Sequence, residues 1–518
     1  MMTNPRTASE TAQSGDRATM KEWAGLALLL LPMLALATDI TVLFFALPTI
    51  TADLSPSAAQ GLWIVHVYGF LIAGFLITMG RLGDRIGRRK LLLTGGAAFA
   101  VLSVVAAYST SPEMLIAARA LLGIAGATLM PSLFSLLRTM FPNDDQRRFA
   151  IAVIFSAFAG GGAIGPLMGG ALLEFFWWGS VFLINVPALF LLVVLGPRLL
   201  PEQREENPAP LDLVSVALSV VAMLAIVYGL QDLAAGYDVA SSHPAWLNLL
   251  IAGGGAGLFG LFIRRQRSLR EPLFDLVLLT RRRTAIPLAA LLLTGIGVVG
   301  VFYLFTQYLQ WVAGLSPLHA GLWTLPYIVV NIAGAMLAPG LVARFRQALV
   351  VTAGLSITAL GLVFVAIAGS SPLGVVVAAI AVTGFGHGVA MALVSDLIIS
   401  GAPAERAGSA AAAQEVSGEL GTAAGIAAGG AIGVLAYRIT LIDAIPPGTP
   451  ETAAAAARSG IHEGVAAAER LGARGHGLVD AVREAFTAGM QVYAGVGAAI
   501  TAAATLLVAV TLAARGRG

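Results

Sequence analysis

The chain has 518 residues, 58% of them hydrophobic and only 11% charged, with a formal net charge of +3. That balance lies far outside the range of soluble globular proteins and reads as an integral membrane protein. Cysteine is absent, which removes disulfides, thiolate metal sites and a cysteine nucleophile from consideration.

The first twenty residues are polar and lack the apolar core of a signal peptide, so the first hydrophobic run reads as a retained span. A membrane helix needs roughly 20 predominantly apolar residues. Runs of that kind predict fourteen spans, at 24–50, 61–80, 91–109, 114–137, 149–173, 179–197, 212–231, 246–263, 285–310, 320–342, 348–368, 373–398, 408–437 and 488–513. Short cytoplasmic loops collect Arg and Lys. With the N-terminus inside, the basic residues fall on the inner side, apart from Arg119 within a span and Arg438, Arg458, Arg470, Arg474 and Arg483 in one long outer loop. Dropping a span would move later basic loops to the wrong side, which supports an even count with both termini cytoplasmic. That outer loop, 438–487, is Ala-rich with charges at helical spacing over 451–487. Two short helices outside the bilayer and a flexible linker both fit it.

An ionised side chain at the bilayer centre costs roughly 2.5–3.5 kcal/mol even on lenient insertion scales, so one that persists faces a cavity or a partner. Asp39, in "LALATDITVLFFALP", sits about halfway along span 1. Arg119 lies in span 4, roughly 9 Å from its outer end, at a depth where the two can pair. Asp39 is therefore either half of a static ion pair joining spans 1 and 4, or a cavity carboxylate that a proton and a cationic ligand occupy in turn. Glu415 and Glu419, in "AAAAQEVSGELGTAAG", stand one turn apart on one face of span 13. They lie roughly 12 and 18 Å along the helix from its start. Two carboxylates so close in a low-dielectric site repel, and a shared proton relieves the repulsion. Asp396, near the inner end of span 12, suits an interfacial or pairing role.

Between spans 2 and 3 the chain reads "GRLGDRIGRRK". Gly80, Asp84, Arg85, Gly87, Arg88 and Arg89 stand at the spacing G-x-x-x-D-R-x-G-R-R, which resembles the signature of the major facilitator superfamily. Arg119 with Gly123 resembles that family's span 4 motif. "GGAIGPLMGG", 161–170, is similar to its antiporter motif at Gly161, Gly165, Pro166, Gly169 and Gly170. The finer resemblance is to fourteen-span drug:proton antiporters of the quaternary-ammonium efflux type. It rests on Asp39 before "FALP", "WIVHVYGFLIAGF", "FWWGSVFLINVP", "LSPLHAGLWTLP" and "APAERAGSAAAAQEVSGELG". A degenerate echo of the first motif, "GLVARFR" at 340–346, lacks the aspartate.

The resemblance implies an all-α major-facilitator fold of two pseudo-symmetric six-helix bundles, with two spans inserted between them and a site at the bundle interface. On this chain the bundles map to 1–200 and 284–518, with spans 7 and 8 and their linkers in 201–283. Where relatives often carry an acid in span 2, this sequence has His66, and where some carry one in span 10, it has Asn331. Fewer fixed negative charges favour monovalent over divalent lipophilic cations. His66 suits either the proton path or a neutral helix contact.

Trp63, Tyr68, Phe302 and Phe305, with His66 and Asn331, are the expected substrate-cavity residues, the aromatic faces offering cation–π contacts worth roughly 0.5–2 kcal/mol each. Tyr308 and Trp311 serve either there or as aromatic-belt anchors. Asp39, Glu415 and Glu419 are the expected proton and substrate carboxylates, with Arg119 in proton coupling. The expected activity is export of lipophilic cations across the cytoplasmic membrane, driven by the proton gradient, by a protein working as a monomer. An endogenous-metabolite transporter of the same fold is the alternative. No Gly-rich phosphate loop, metal-spaced His cluster or nucleophile elbow occurs, so an enzyme, a resident cofactor or metal, and a nucleic-acid partner are not expected.

Overall fold

The computed structural model describes residues 18–204, 212–235, 245–269, 281–368, 371–401 and 407–513, and every element among them is a helix. The hydrocarbon core offers no water to backbone N–H and C=O groups, and helices satisfy them within one segment. The helices are α1 (Met20–Leu54), α2 (Ala58–Ile86), α3 (Arg88–Ala107), α4 (Pro112–Met140), α5 (Asp144–Phe175), α6 (Ser180–Leu199), α7 (Leu213–Ala235) and α8 (Ala245–Ser268). They continue with α9 (Arg282–Val312), α10 (Pro317–Val342), α11 (Gln347–Ile367), α12 (Leu373–Ser400), α13 (Ala407–Ala444), α14 (Glu451–Ser459), α15 (Ile461–Arg470) and α16 (His476–Ala513).

Twelve helices are long and apolar enough to cross a membrane, or thirteen if α2 is taken whole. Hydropathy predicts fourteen. The difference arises because α2 bends by 54° between Val67–Leu76 and Thr78–Ile86, and because the apolar run described in α7, Leu213–Ile226, is shorter than a spanning helix. Local chemistry sets several starts. Ser111 caps α4 by accepting from the Met114 N–H at 3.2 Å, with Pro112 at the first helical position. Ser316 and Pro317 open α10 the same way. Both use an orphan amide and the fixed φ of proline.

The chain forms two compact units, Met1–Ala46 with Val67–Val216, and Leu47–His66 with Ala217–Gly518. In the first, α3 packs on α4 and α6. In the second, α12 lies between α10 and α11, and α16 packs on α11 and α13. Buried Val350, Leu355, Val389, Leu393, Ile398 and Val508 fill the space between. The α7–α8 pair packs by small residues: a Cβ at Gly229 would come 2.5 Å from the Asn248 carbonyl, and one at Gly255 within 2.7 Å of the Ile226 nitrogen. Such close approach replaces the hydrophobic drive that lipid tails cancel.

α9 carries two π-helical turns, Gly295–Val299 and Tyr308–Val312. A π turn disturbs the regular carbonyl ladder, and α16 meets both disturbances. The Tyr493 hydroxyl lies 2.8 Å from the Ile296 carbonyl and 2.9 Å from that of Gly425. Arg483 Nε donates to the Trp311 carbonyl at 3.2 Å.

Of the two readings of the 438–487 segment, the helical one describes it. The segment contains the end of α13, all of α14 and α15, and the first two turns and more of α16. A core of Tyr437, Leu441, Ala457, Val465, Leu478 and Val482 holds them together, and the Tyr437 hydroxyl donates to the Ala457 carbonyl at 2.6 Å.

Candidate functional site

Asp39 and Arg119 form an ion pair in the first unit, with side chains 0% and 1% exposed respectively. Asp39 lies near the middle of α1, and the guanidinium comes from the first half of α4. The arginine is also held from the sides: its guanidinium carbon lies 4.4 Å from the Tyr68 ring centroid and 5.9 Å from that of Phe182. Tyr68 itself is 1% exposed and edge-on to Phe99 at 6.2 Å. Gly123, one turn after Arg119, makes this possible. A Cβ there would sit 2.5 Å from the Tyr68 carbonyl oxygen, so only glycine lets α2 come close enough to put the ring under the cation. Arg119 binds the Asp39 Oδ2, while Oδ1 accepts no hydrogen bond among the described residues. A buried carboxylate oxygen without a donor is costly, and it is a ready seat for a proton or an N–H cation.

The glycine stripe of α5 lies directly on the stretch of α1 that holds Asp39. Cβ atoms at Gly161, Gly165 and Gly169 would come 2.9 Å from the Leu34 carbonyl oxygen, 2.0 Å from Thr41 Oγ1 and 2.5 Å from Val42 Cγ2. Pro166 lies inside the helix and Gly170 is buried. Next to this contact, the Thr38 hydroxyl donates to the Leu34 carbonyl at 2.8 Å and lies 2.9 Å from Asn185 Oδ1.

The "GRLGDRIGRRK" turn ends α2 and starts α3. Asp84 pairs with Arg88, whose Nη1 reaches the Pro131 carbonyl at 3.5 Å. Gly80 lies beside Pro131, 3.6 Å from Cβ to Cβ were it alanine. Gly87 has φ +109, a conformation that suits glycine, and a Cβ there would meet Glu202 Oε1 at 2.6 Å. Arg89 binds the Leu200 and Pro197 carbonyls at 3.0 and 3.2 Å and Glu202 at 3.5 Å. The Arg88 amide donates to the Gln203 carbonyl at 2.9 Å, and the Gln203 side chain accepts from Thr139 at 2.5 Å. Arg85 is exposed at the end of α2.

In the second unit, Glu415 is half-buried on α13. Glu419 follows one turn later, and its side chain, like that of His66 on α2, lies outside the described structure. Phe302 stacks on Tyr327 at 4.7 Å and lies 6.4 Å from Phe305, which is fully buried. Asn331 donates to the Gly384 carbonyl at 2.9 Å and lies 3.3 Å from His387 Nδ1. Trp63 lies 6.0 Å from the Tyr228 ring of α7. Trp311 meets His462 of α15 edge-on at 4.8 Å, and Tyr308 is 7% exposed, so both pack within the protein. Asp396 accepts from the Gln347 carboxamide at 2.9 Å. Of the aromatic residues expected in a cavity, Tyr68 and Phe305 thus lie in packed interior, Tyr68 against the protein's own cation.

Several residues at these sites carry no signal that a sequence reading uses. Glu202 and Gln203 follow a span end in an unremarkable polar stretch. Phe182 and Asn185 lie in "FWWGSVFLINVP", which contributes to the resemblance without announcing that it flanks Arg119 and Thr38. His387 and Tyr493 are single polar residues in apolar runs. Among the described residues no group of His, Asp and Glu is arranged to hold a metal ion.

Comparison with known proteins places these features in a group. The sequence profile described as Major Facilitator Superfamily matches residues 29–426. The chain is 41% identical over 506 residues to the Multidrug efflux pump LfrA of Mycolicibacterium smegmatis, covering 97% of this chain and 99% of that protein. It is 35% identical over 468 residues to the Methyl viologen resistance protein SmvA of Salmonella typhimurium, covering 90% and 93%. It is 32% identical over 436 residues to the Tetracenomycin C resistance and export protein of Streptomyces glaucescens, covering 81% and 78%. Among solved structures, a bacterial homolog of the human lysosomal transporter Spinster, inward-facing and unoccupied, superposes with a TM-score of 0.65 at 15% identity, covering 95% of this chain and 98% of that one. At that identity the likeness is one of fold.

Proposed function

We propose, from the premise that this chain belongs to the Major Facilitator Superfamily, that it is a drug-efflux transporter of the cytoplasmic membrane that exchanges protons for lipophilic monovalent cations. Drug export is supported by similarity over 78–99% of the length of proteins named for multidrug efflux, methyl viologen resistance and Tetracenomycin C resistance and export. The proton and cation assignments are our reading of the site.

The observation that carries the reading is the sealed Asp39–Arg119 pair, with one carboxylate oxygen left without a donor. Protonation at Oδ1 neutralises Asp39 and loosens its hold on Arg119, which then rests on the Tyr68 and Phe182 rings. Loss of that proton restores the pair. Because α5 touches α1 through glycines on either side of Asp39, a small shift of Asp39 is felt along the whole α1–α5 contact. Packed interfaces of this kind switch between discrete arrangements instead of deforming smoothly. Glu415 and Glu419 are the second proton-binding element of this reading, and the loading of one or the other sets whether one or two protons move per cation. One proton per monovalent cation moves no net charge. A second adds the membrane potential, about 2.3 kcal/mol per 100 mV. In the same reading both termini are cytoplasmic, the 438–487 segment is outside, α2 and α7 complete fourteen spans, and the monomer is the working unit.

The test is ethidium movement in proteoliposomes with an imposed pH difference and simultaneous proton counting. The wild type is expected to expel ethidium only when the gradient is present, and Asp39→Asn to lose the pH-driven component. Full gradient-driven efflux by Asp39→Asn would remove the pair from coupling. Drug movement indifferent to the gradient would remove proton exchange altogether.

A further inference from the structure

The α14–α15 segment does more than close a long loop. Where it meets α9 in the second unit, together with the end of α1 and part of α13, it borders a half-open cavity of about 280 Å³, near the lower end of the roughly 300–1,000 Å³ typical of small-molecule sites. Tyr303, Gln307 and Trp311 of α9 line one side, and Ser459, His462 and Glu463 the other. Among the described residues no lysine or arginine lines it, and Glu463 is the one acid that does. Arg483 is bound to the Trp311 carbonyl at 3.2 Å, and Arg458, beside Ser459, is paired with Glu451 at 2.8 Å. Two polar groups at the site lack partners among the described residues. Gln307 is only 9% exposed yet its Nε2 makes no hydrogen bond, and His462 Nδ1 makes none while its ring stands edge-on to Trp311 at 4.8 Å. A buried carboxamide without a partner costs free energy unless something occupies the space before it.

We propose that this cavity is a second binding site for a flat organic monovalent cation, separate from the carboxylates in the spans. The Glu463 carboxylate supplies the countercharge. Trp311 and Tyr303 supply aromatic surface, worth most to a cation that is partly desolvated. Gln307 and His462 offer acceptors to amino N–H groups at the ligand's edge, the carboxamide by turning its oxygen and the imidazole through Nδ1. This deepens the reading under "Proposed function" and rests on it for the identity of the ligand as the exported cation and for the outward location of the site. A ligand held there after leaving the spans is retained at low affinity before it diffuses away.

The natural absence of cysteine allows a direct test with the full-length chain. Ser459→Cys puts one thiol at an exposed wall position, to be labelled from outside by an impermeant maleimide in proteoliposomes. Ethidium is expected to slow labelling in a saturable way, and Glu463→Gln, which keeps shape and removes charge, to raise the half-protecting concentration about threefold to fivefold, the scale of a partly exposed cation contact. Asp39→Asn in the same background is expected to leave protection in place. The proposal is overturned if ethidium gives no protection, if Glu463→Gln leaves the half-protecting concentration unchanged, or if protection disappears with Asp39→Asn. Ethidium export is read in a parallel vesicle set. Its failure sinks the functional reading, while the labelling result still decides whether the cavity binds the cation.

Discussion

The two units bury polar groups in opposite ways. The first unit seals a full ion pair, Asp39–Arg119, and surrounds the cation with the Tyr68 and Phe182 rings. Within the long helices of the second, charged groups meet neutral ones, Arg483 with the Trp311 carbonyl and Asp396 with Gln347. Other contacts there join neutral groups: Asn331 with Gly384 and His387, and Tyr493 with the carbonyls of Ile296 and Gly425. Both units bring helices together through glycine, but to different partners. On α5 the stripe faces mainly side chains of α1, whereas on α9 it faces the backbone of α13 and α16. A charge pair has two states, bonded and separated, that a proton can choose between. A neutral backbone contact has one. On the proposed reading the ion pair is the switching element of the first unit, and the neutral contacts around Asn331 and Tyr493 form a stiffer frame beside Glu415 and Glu419 in the second.

The largest effect is expected where the contrast is sharpest. Arg119→Leu leaves Asp39 as an uncompensated buried charge, which costs about 3–5 kcal/mol. In detergent this reads as a large fall in thermal unfolding temperature. Asp39→Leu with Arg119→Leu together is expected to recover most of that loss while transport stays absent, because replacing a whole buried pair by apolar groups is often neutral or stabilising. A double variant as unstable as Arg119→Leu would mean that the pair is structural glue and not a device retained for switching.

Next in size is Gly300→Ala. Its Cβ would meet the Gly425 carbonyl oxygen at 2.2 Å and the Tyr493 ring at 2.5 Å, neither of which can swing aside. Overpacking of this kind costs about 1–3 kcal/mol. Gly165→Ala meets Thr41 Oγ1 at 2.0 Å, but that hydroxyl can rotate, so a smaller loss of stability is expected together with a change in transport rate. Gly340→Ala, with open space around it, is the control. Equal losses at Gly300 and Gly165 would erase the distinction between frame and switch.

How much of this was readable in advance follows from what each feature depends on. The Asp39–Arg119 pairing and the turn at Gly80–Arg89 depend on local hydropathy and spacing, and the structure has them where the sequence points, whereas twelve or thirteen helices, not all fourteen, are long and apolar enough to span. The glycine motif on α5 declares close packing, though only coordinates show that its partner is the part of α1 around Asp39. The bend in α2 and the π turns of α9 leave no mark in hydropathy, because they arise from how neighbouring helices press on a chain whose own preference is uniformly helical. For the same reason Tyr68 reads as a free aromatic face in span 2 and is instead occupied by Arg119, a residue 51 positions away in sequence. His387 and Tyr493 act through contacts with distant helices and stay silent until those helices are in place.

Tyr493→Phe separates the neutral frame from the charge pair at a finer scale. It removes the one hydroxyl placed between the Ile296 and Gly425 carbonyls and keeps the ring that packs on Gly300 and Gly429. Interhelical hydrogen bonds in membranes average about 0.6 kcal/mol and reach about 1.7. A loss near 1 kcal/mol in unfolding is therefore expected, with the pH dependence of efflux unaltered. A shifted pH profile would show that the π turn of α9 takes part in coupling and that the frame is not passive.

The smallest effect, and the one that tests how the inner turn is held, is expected at Glu202. Its carboxylate lies over Gly87 and reaches Arg89 at 3.5 Å, but it is 37% exposed, and pairs of that exposure contribute about 0–1 kcal/mol. Glu202→Gln is expected to change unfolding by less than 1 kcal/mol, because Arg89 keeps the Leu200 and Pro197 carbonyls and the Arg88 amide keeps the Gln203 carbonyl. Gly87→Ala at the same spot should cost more, since it adds an unfavourable φ to the loss of space. If the two variants instead weaken the protein equally, the charge on Glu202 and not the glycine turn is what fixes α3 against the end of α6, and the first unit then relies on ion pairs at its surface as well as at its centre.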